Sequence, residues 1–132
     1  MTVAVAHQIS ATARLALTHA VQEAKYRSTD LAVLHVVDSA LDADREDAYR
    51  GGVSDDIERA VGPNSDISWK LHLHTVSGDI GDAIVELTNR LHADLLVLGA
   101  RRRSPLGKAL LGSVAQTIIL EASVPVLVVK TP

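Results

Sequence analysis

The sequence of 132 residues lacks cysteine and phenylalanine, and its aromatic residues are two tyrosines and one tryptophan. Without cysteine, disulfide scaffolds, thiol chemistry and cysteine-ligated zinc sites are excluded. With so few aromatic rings, the chain can hardly build the stacking platforms on which single-stranded nucleic acids bind. A formal net charge of -3 also disfavours general affinity for a polyanion. We therefore predict no nucleic-acid partner.

Long apolar runs are also missing. No run approaches the roughly 20 residues that a membrane-spanning helix needs, and the first residues lack the basic-then-apolar pattern of a secretory signal. We therefore expect a cytoplasmic protein with no membrane partner. The length suits a single domain over residues 1–132, and a hydrophobic content of 47% is sufficient for a core.

Apolar runs alternate with segments of helical periodicity along the whole chain. The runs predict five strands, over residues 3–5, 31–37, 67–76, 94–98 and 124–129. The segments between them predict helices, over residues 10–26, within the acidic stretch 38–65, and over 80–92 and 114–122. This alternation predicts an α/β fold, an open five-stranded parallel sheet with helices on both faces. Ligands of such sheets bind beyond the carboxyl ends of the strands, where the winding direction reverses.

The segment between the fourth strand and the fourth helix carries the clearest functional signal. Gly99 is expected to halt the strand at the ligand-binding end of the sheet. The pattern Ser113-Val114-Ala115-Gln116 predicts that Ser113 caps a helix beginning at Val114. Gly112 lets a ligand come close to the backbone, where free amides and the helix dipole favour an anion.

Cationic residues gather on the same segment, at Arg101, Arg102, Arg103 and Lys108. Such a run is either an anion site or a solvated surface, and both interpretations remain open. Gly107-Lys108 supplies only the middle of a Walker A loop, and no dinucleotide fingerprint follows the first strand. A nucleophile elbow around Ser113 is also missing, because its glycine positions are occupied by other residues. We therefore predict no catalytic residue.

Three segments together resemble the carboxyl-terminal half of the universal stress proteins. They are residues 94–99, 112–115 and 124–129. Nucleotide-binding members of that family carry the pattern G-x2-G-x9-G followed by serine or threonine, which Gly99, Gly112 and Ser113 match at the right spacing. Arg102 stands where the second glycine belongs. The resemblance extends over nearly the whole chain and implies the Rossmann-like, adenine nucleotide alpha hydrolase-like fold of that family.

The resemblance also implies a site for ATP or AMP, with no metal predicted. Its residues would be Gln8, Val36, Leu98, Gly99, Arg101, Arg102, Gly112, Ser113 and Val114. Val36, Leu98 and Gly99 would border the adenine, and the backbone from Gly112 would hold the phosphates. Gln8 replaces the usual aspartate and would contact base or ribose. Arg101 and Arg102 would supply charge, unless Arg102 fills the phosphate space.

The expected function is that of a non-enzymatic stress-response regulator or sensor that binds an adenine nucleotide, with at most slow, incidental ATP hydrolysis. The alternative is a family member without nucleotide binding that works through its dimer or another protein-interaction surface, which the departures at Gln8 and Arg102 favour. An enzyme of adenylate chemistry is the weakest alternative, because no phosphate loop or catalytic constellation is present.

The last strand should form an apolar edge of the sheet, which must be covered or used. In the resembled family this strand pairs with its copy, so we expect a homodimer through residues 124–130, from Val124 to Lys130. Among the histidines, His35 is expected to be a hydrogen-bonded core residue. His7 lies near the expected ligand-binding edge, and whether it contacts a ligand remains open. His72 and His74 share a strand face that is expected to be partly exposed rather than metal-binding.

Overall fold

The computed structural model describes residues 1–7, 11–37, 43–62, 66–101 and 112–131. Over these residues five strands alternate with four helices: β1 (Thr2–Ala6), α1 (Ala11–Arg27), β2 (Asp30–Val37), α2 (Ala43–Val61), β3 (Trp69–Thr75), α3 (Ile80–Arg90), β4 (Leu95–Arg101), α4 (Ser113–Glu121) and β5 (Val126–Thr131). The strand order is β3-β2-β1-β4-β5 and the pairings are parallel. The predicted single-domain parallel sheet is therefore confirmed.

The sheet separates two apolar cores. Odd-numbered residues of the central strands, such as Val5 and Val33, pack with α1 and α2. Even-numbered residues, such as Ala4 and Leu34, pack with α3 and α4. Because alternate side chains of a strand point to opposite faces, a strand covered on both sides is apolar at nearly every position. This explains why residues 31–37 read as a continuous apolar run.

The helix boundaries follow local backbone chemistry. Asp79 caps α3, because its Oδ1 accepts a hydrogen bond of 2.9 Å from the amide of Asp82. The helix ends at Arg90 rather than at His92, since His92 has a left-handed φ of 52°. None of the described helices combines the length and the apolar character that crossing a bilayer requires.

The winding direction reverses at β1, in the middle of the sheet. From β1 the chain passes to β2 and β3 on one side, and it then crosses to β4 and β5 on the other. β1 and β4 are direct neighbours, with Val5 opposite Val97. We call the carboxyl ends of the strands, together with the amino terminus of α4, the carboxyl edge. A ligand site in this type of sheet belongs there.

Candidate functional site at the carboxyl edge

The amino terminus of α4 begins one residue earlier than the sequence indicated. The helix starts at Ser113, and Gly112 is its N-cap, with an extended backbone of φ -62° and ψ 159°. The amide of Gln116 donates to the carbonyl of Gly112 at 3.0 Å, which closes the first turn. The prediction that Ser113 caps a helix from Val114 was therefore wrong. Since glycine has no side chain, no side-chain cap bond is made here within the described part of the chain.

This turn is open to solvent. Gly112 and Ser113 are exposed, and Val114 is half-buried. No described atom lies within 4 Å of the position that a Cβ would take at Gly112. The first amides of a helix have no intrahelical acceptor and carry the positive end of its dipole. An uncapped, exposed first turn of this kind is suited to an anion.

Gly99 has a packing role that the sequence did not indicate. β4 continues past it to Arg101, so the prediction that Gly99 halts the strand was wrong. β5 pairs along the whole extension, with Gly99 opposite Val129 and Arg101 opposite Thr131. A Cβ at Gly99 would lie 2.6 Å from both the carbonyl oxygen and Cγ2 of Thr12. Glycine therefore allows the first turn of α1 to lie directly against the end of β4.

The remaining residues of the predicted site differ in exposure. Val36 and Leu98 are 4% and 3% exposed and belong to the same apolar core under α3 and α4. Arg101 is the last residue of β4. Gln8 and Arg102 lie outside the described residues. The structure thus brings Val36 and Leu98 into one cluster beneath the carboxyl edge, with Gly112 and Ser113 exposed on it.

A pair of buried histidines lies behind the carboxyl edge. His7 directly follows β1 and His35 lies in β2, and they are 1% and 2% exposed. Their Nδ1 atoms are 2.9 Å apart. The Nε2 atom of His35 lies 2.9 Å from the hydroxyl of Tyr49 on α2. The expectation that His35 is a hydrogen-bonded core histidine is therefore confirmed.

The other nitrogen of His7 faces a carboxylate. Its Nε2 is buried and has no hydrogen-bond partner among the described residues, and it lies 3.9 Å from Oδ2 of Asp56 on α2. Asp56 is held in turn by Arg14 of α1 and Arg59 of α2, each with a nitrogen 3.8 Å from one of its oxygens. We call His7, His35, Tyr49 and Asp56 the histidine network.

Burial controls the protonation of both rings. It lowers the pKa of His7. The negative charge of Asp56 opposes this decrease, and the positive charge of Arg14 reinforces it. Burial also lowers the pKa of His35 to about 4, and the neighbouring His7 adds to this decrease. Both rings are therefore neutral at neutral pH.

The position of this pair follows from strand register. Val5 pairs with Val33 and Ala6 with Leu34, so the next positions along this parallel register are His7 and His35. Both histidines continue the odd-numbered positions that face α1 and α2. Register and parity together therefore place the two imidazoles side by side.

The other histidine pair lies on a partly exposed strand face, as predicted. His72 is half-buried and His74 is exposed, on one face of the edge strand β3. In the part of the chain that the structure describes, no three His, Cys, Asp or Glu residues are arranged to hold a metal ion.

The family follows from comparison with known proteins. Residues 1–130 match the model of the Universal stress protein family. The chain belongs to this family. It is 37% identical over 117 residues to a universal stress protein of Mycolicibacterium smegmatis, and the alignment covers 89% of this chain and 88% of that protein.

Solved structures of universal stress proteins have the same fold. One from Archaeoglobus fulgidus superimposes with a TM-score of 0.78 at 30% identity and 97% coverage of both chains. A structure of the Archaeoglobus fulgidus protein in complex with dAMP has a TM-score of 0.72 at 25% identity, over 97% of this chain and 96% of that one. A universal stress protein in complex with cAMP has a TM-score of 0.70 at 27% identity, over 100% and 98% of the two chains.

Proposed function

We propose that this universal stress protein is a non-enzymatic stress-response regulator or sensor that binds an adenine nucleotide at the carboxyl edge and acts in the cytoplasm. The observation that carries the proposal is the open amino terminus of α4, where the N-cap is an exposed glycine with no side-chain cap bond. Similar proteins bound to dAMP and to cAMP support an adenine nucleotide as the anion.

The proposed contacts follow from the chemistry of this edge. The amides at the start of α4, from Ser113 onward, donate to phosphate oxygens, and the helix dipole adds favourable charge. Arg101 and Arg102 neutralise the phosphates. The adenine lies by the ends of β2 and β4, bordered by Val36, Leu98 and Gly99, and Gln8 contacts the base or ribose. No catalytic group is required for this role, which is why we propose binding without turnover.

The sharpest test removes one amide without disturbing the helix. Ser113→Pro deletes the N–H at the first helical position, where proline is well tolerated. The extended backbone of Gly112 already suits a residue that precedes proline. Ser113→Ala is the matched control, because it keeps the amide and removes only the hydroxyl. Calorimetric titration of dialysed protein with ATP, AMP and cAMP measures the effect.

We expect micromolar binding by the wild type, which corresponds to about 8 kcal/mol. Ser113→Pro should weaken it by roughly tenfold or more, the value of one hydrogen bond to a charged group. Ser113→Ala should retain more affinity than Ser113→Pro. Equal affinity for the wild type and Ser113→Pro would contradict a phosphate site at α4.

Arg102→Gly restores the family glycine and separates the two candidate functions. Weaker binding by this variant means that Arg102 supplies charge to the phosphates. A wild type that binds nothing, together with a variant that binds, would support the alternative function, in which the family member works through a protein-interaction surface. No binding by either protein would contradict the nucleotide-sensor proposal.

We also propose that the protein forms a homodimer through residues 124–130. β5 is an edge strand of the sheet, and Val126, Leu127 and Val128 remain partly exposed. An apolar edge of this kind is suited to pairing with a second copy. Val128→Lys should give a monomer in sedimentation analysis, whereas an unchanged dimer would place the contact elsewhere.

A further inference from the structure

The proton positions in the histidine network can be assigned from its contacts. One of the two facing Nδ1 atoms must donate and the other accept. If His35 donates, its Nε2 accepts from the hydroxyl of Tyr49, and the proton of His7 lies on Nε2, facing the carboxylate of Asp56. The opposite arrangement points a bare lone pair of His7 at that carboxylate. Electrostatics therefore favours the first arrangement.

Added protons are accommodated poorly by this geometry. A first one makes His7 a cation that faces Asp56 and donates from Nδ1 to His35. The proton of His35 must then move from Nδ1 to Nε2, and the hydroxyl of Tyr49 must turn to accept from it. A second one puts an N–H on both Nδ1 atoms, which are 2.9 Å apart, so that two donors face each other. Both charges are nearly cut off from water. The contact between the sheet and α2 is therefore retained only when the two imidazoles bind few added protons.

The two halves of the helix that covers this network are held by different contacts. Gly51 and Gly52 are exposed in the middle of α2, where each glycine costs about 1 kcal/mol relative to alanine. The carboxyl-terminal half buries Val53 and Ile57 in the core. In the other half, Tyr49 packs against this core and bonds to His35. Tyr49 thus joins the first half of α2 to the network.

We propose that the His7–His35 pair is an acid-operated latch. With both rings neutral, it fastens α2 to the carboxyl ends of β1 and β2. Protonation of the pair releases α2, because water reaches the charged rings only when the helix that carries Tyr49 and Asp56 moves away. This device goes beyond nucleotide binding and does not depend on it.

The groups around His7 and His35 determine whether protonation of the pair is favoured or opposed. On α2 they are Tyr49 and Asp56, and Asp56 also contacts Arg14 of α1 and Arg59 of α2. On the neighbouring strands, His35 lies opposite Leu73 of β3, and the β1–β4 register continues from Val5 and Val97 to His7 and Gly99. Among the described residues, only Asp56 favours added protons, and its two arginine partners weaken its effect.

Hydrogen exchange followed by mass spectrometry tests the latch. Protection factors, corrected for the intrinsic pH dependence of exchange, are compared at about pH 7 and about pH 5, on either side of an ordinary histidine pKa. In the wild type, peptides of α2 should lose protection by roughly tenfold or more at the lower pH, because protonation favours the open helix. Peptides of α3 and β4 should keep theirs.

Two variants separate titration from structure. His7→Asn places an amide near the position of Nδ1 and removes one of the two titrating rings, so the pH-dependent loss in α2 should be markedly smaller than in the wild type. Tyr49→Phe removes only the hydroxyl, so α2 should be less protected at both pH values and should still respond to acid. Nitrogen chemical shifts of the wild-type imidazoles should in addition show His35 protonated on Nδ1 and His7 on Nε2 at neutral pH.

Three results would overturn the latch. They are unchanged protection of α2 in acid, equal losses in α2 and α3, and a His7→Asn variant that responds like the wild type. Should His7→Asn fail to fold, the wild-type imidazole shifts decide the question, because rings that are both charged near pH 6 would contradict the proposed proton positions.

Discussion

The two ends of the sheet differ in how their polar groups are used. At the amino edge, the backbone groups of neighbouring segments bond to one another: Thr2 with Asp94, Leu31 with Ser68, and Leu96 with Pro125, at 2.8 to 3.0 Å. At the carboxyl edge, the exposed first turn of α4 has no side-chain cap bond among the described residues. The strand ends at the carboxyl edge bond in the same way, His7 with Leu34 and Val76 with Val37 at 2.9 Å, so the open first turn of α4 is what distinguishes this edge.

The two ends of the sheet also differ in some of their charged groups. Three exposed carboxylates, those of Asp30, Asp66 and Asp94, lie where strands begin. The carboxyl edge instead has the positive end of a helix dipole and is followed in sequence by the arginine run at 101–103. The positive end of the α4 dipole favours an anion at the carboxyl edge. The comparison is the reason why we propose an anion site at the first turn of α4 rather than among the strand ends.

The largest effect that we expect from this difference is acid sensitivity of the histidine network. A histidine whose pKa is lowered in the folded protein binds fewer protons there than in the unfolded chain. The free energy of unfolding therefore falls as the pH drops from 6.5, the ordinary value, toward 4, the value of His35. His35 alone should account for about 3 kcal/mol of this loss at the end of that range, and His7 adds to it. Urea unfolding at a series of pH values measures it.

A flat profile over this range would contradict the assignment of His35 as a buried neutral ring. The decrease in His7→Asn should be smaller, because only one of the two rings remains. This experiment measures global stability, and it is thus independent of whether α2 opens before the rest of the fold.

A smaller effect is expected at the amino edge. Asp94→Ala removes the acceptor of the 2.9 Å bond from the amide of Thr2, and it should lower the free energy of unfolding by about 1 kcal/mol. Nucleotide affinity should stay unchanged, since the residue lies at the other end of the sheet. Asp94→Asn, which keeps an acceptor, is the control. A marked loss of nucleotide affinity in Asp94→Ala would show that the two edges are not independent.

Gly112→Ser should have the smallest effect on stability and a larger effect on nucleotide binding. Gly112→Ser introduces a hydroxyl at an N-cap whose backbone already suits it, in space free of described atoms. It should raise the free energy of unfolding by a few tenths of a kcal/mol (about 0.3). The hydroxyl then competes with phosphate for the first amides of α4, so nucleotide affinity should fall. Thermal unfolding and calorimetry measure the two changes, and tighter binding would contradict the site.

Much of the fold could be predicted because the sheet is covered on both faces. Residues 31–37 are apolar throughout, which is typical of a central parallel strand, and β2 covers this run. The weak pattern around Gly51 and Gly52 predicted only one weak helix, yet α2 spans 19 residues. Packing of Val53 and Ile57 in the core outweighs the low helix propensity of these glycines.

The site was harder to predict, because it depends on distances between elements. That Gly99 makes room for Thr12 follows from how closely α1 approaches β4, which no local pattern contains. The contact of His35 with Tyr49 depends on the rotation of α2 about its axis, 14 residues away in the sequence. Only the pairing of His7 with His35 was accessible, from strand register.

The most direct test of the central claim is an amide-resolved NMR titration of the isotope-labelled protein with AMP. A nucleotide at the carboxyl edge should shift the amides of Gly99, Gly112, Ser113 and Val114 and leave those of Thr29, Leu31 and Ser68 at the amino edge in place. Saturating shifts confined to the first group would establish the site. Shifts concentrated at the amino edge, or none at millimolar AMP, would contradict it.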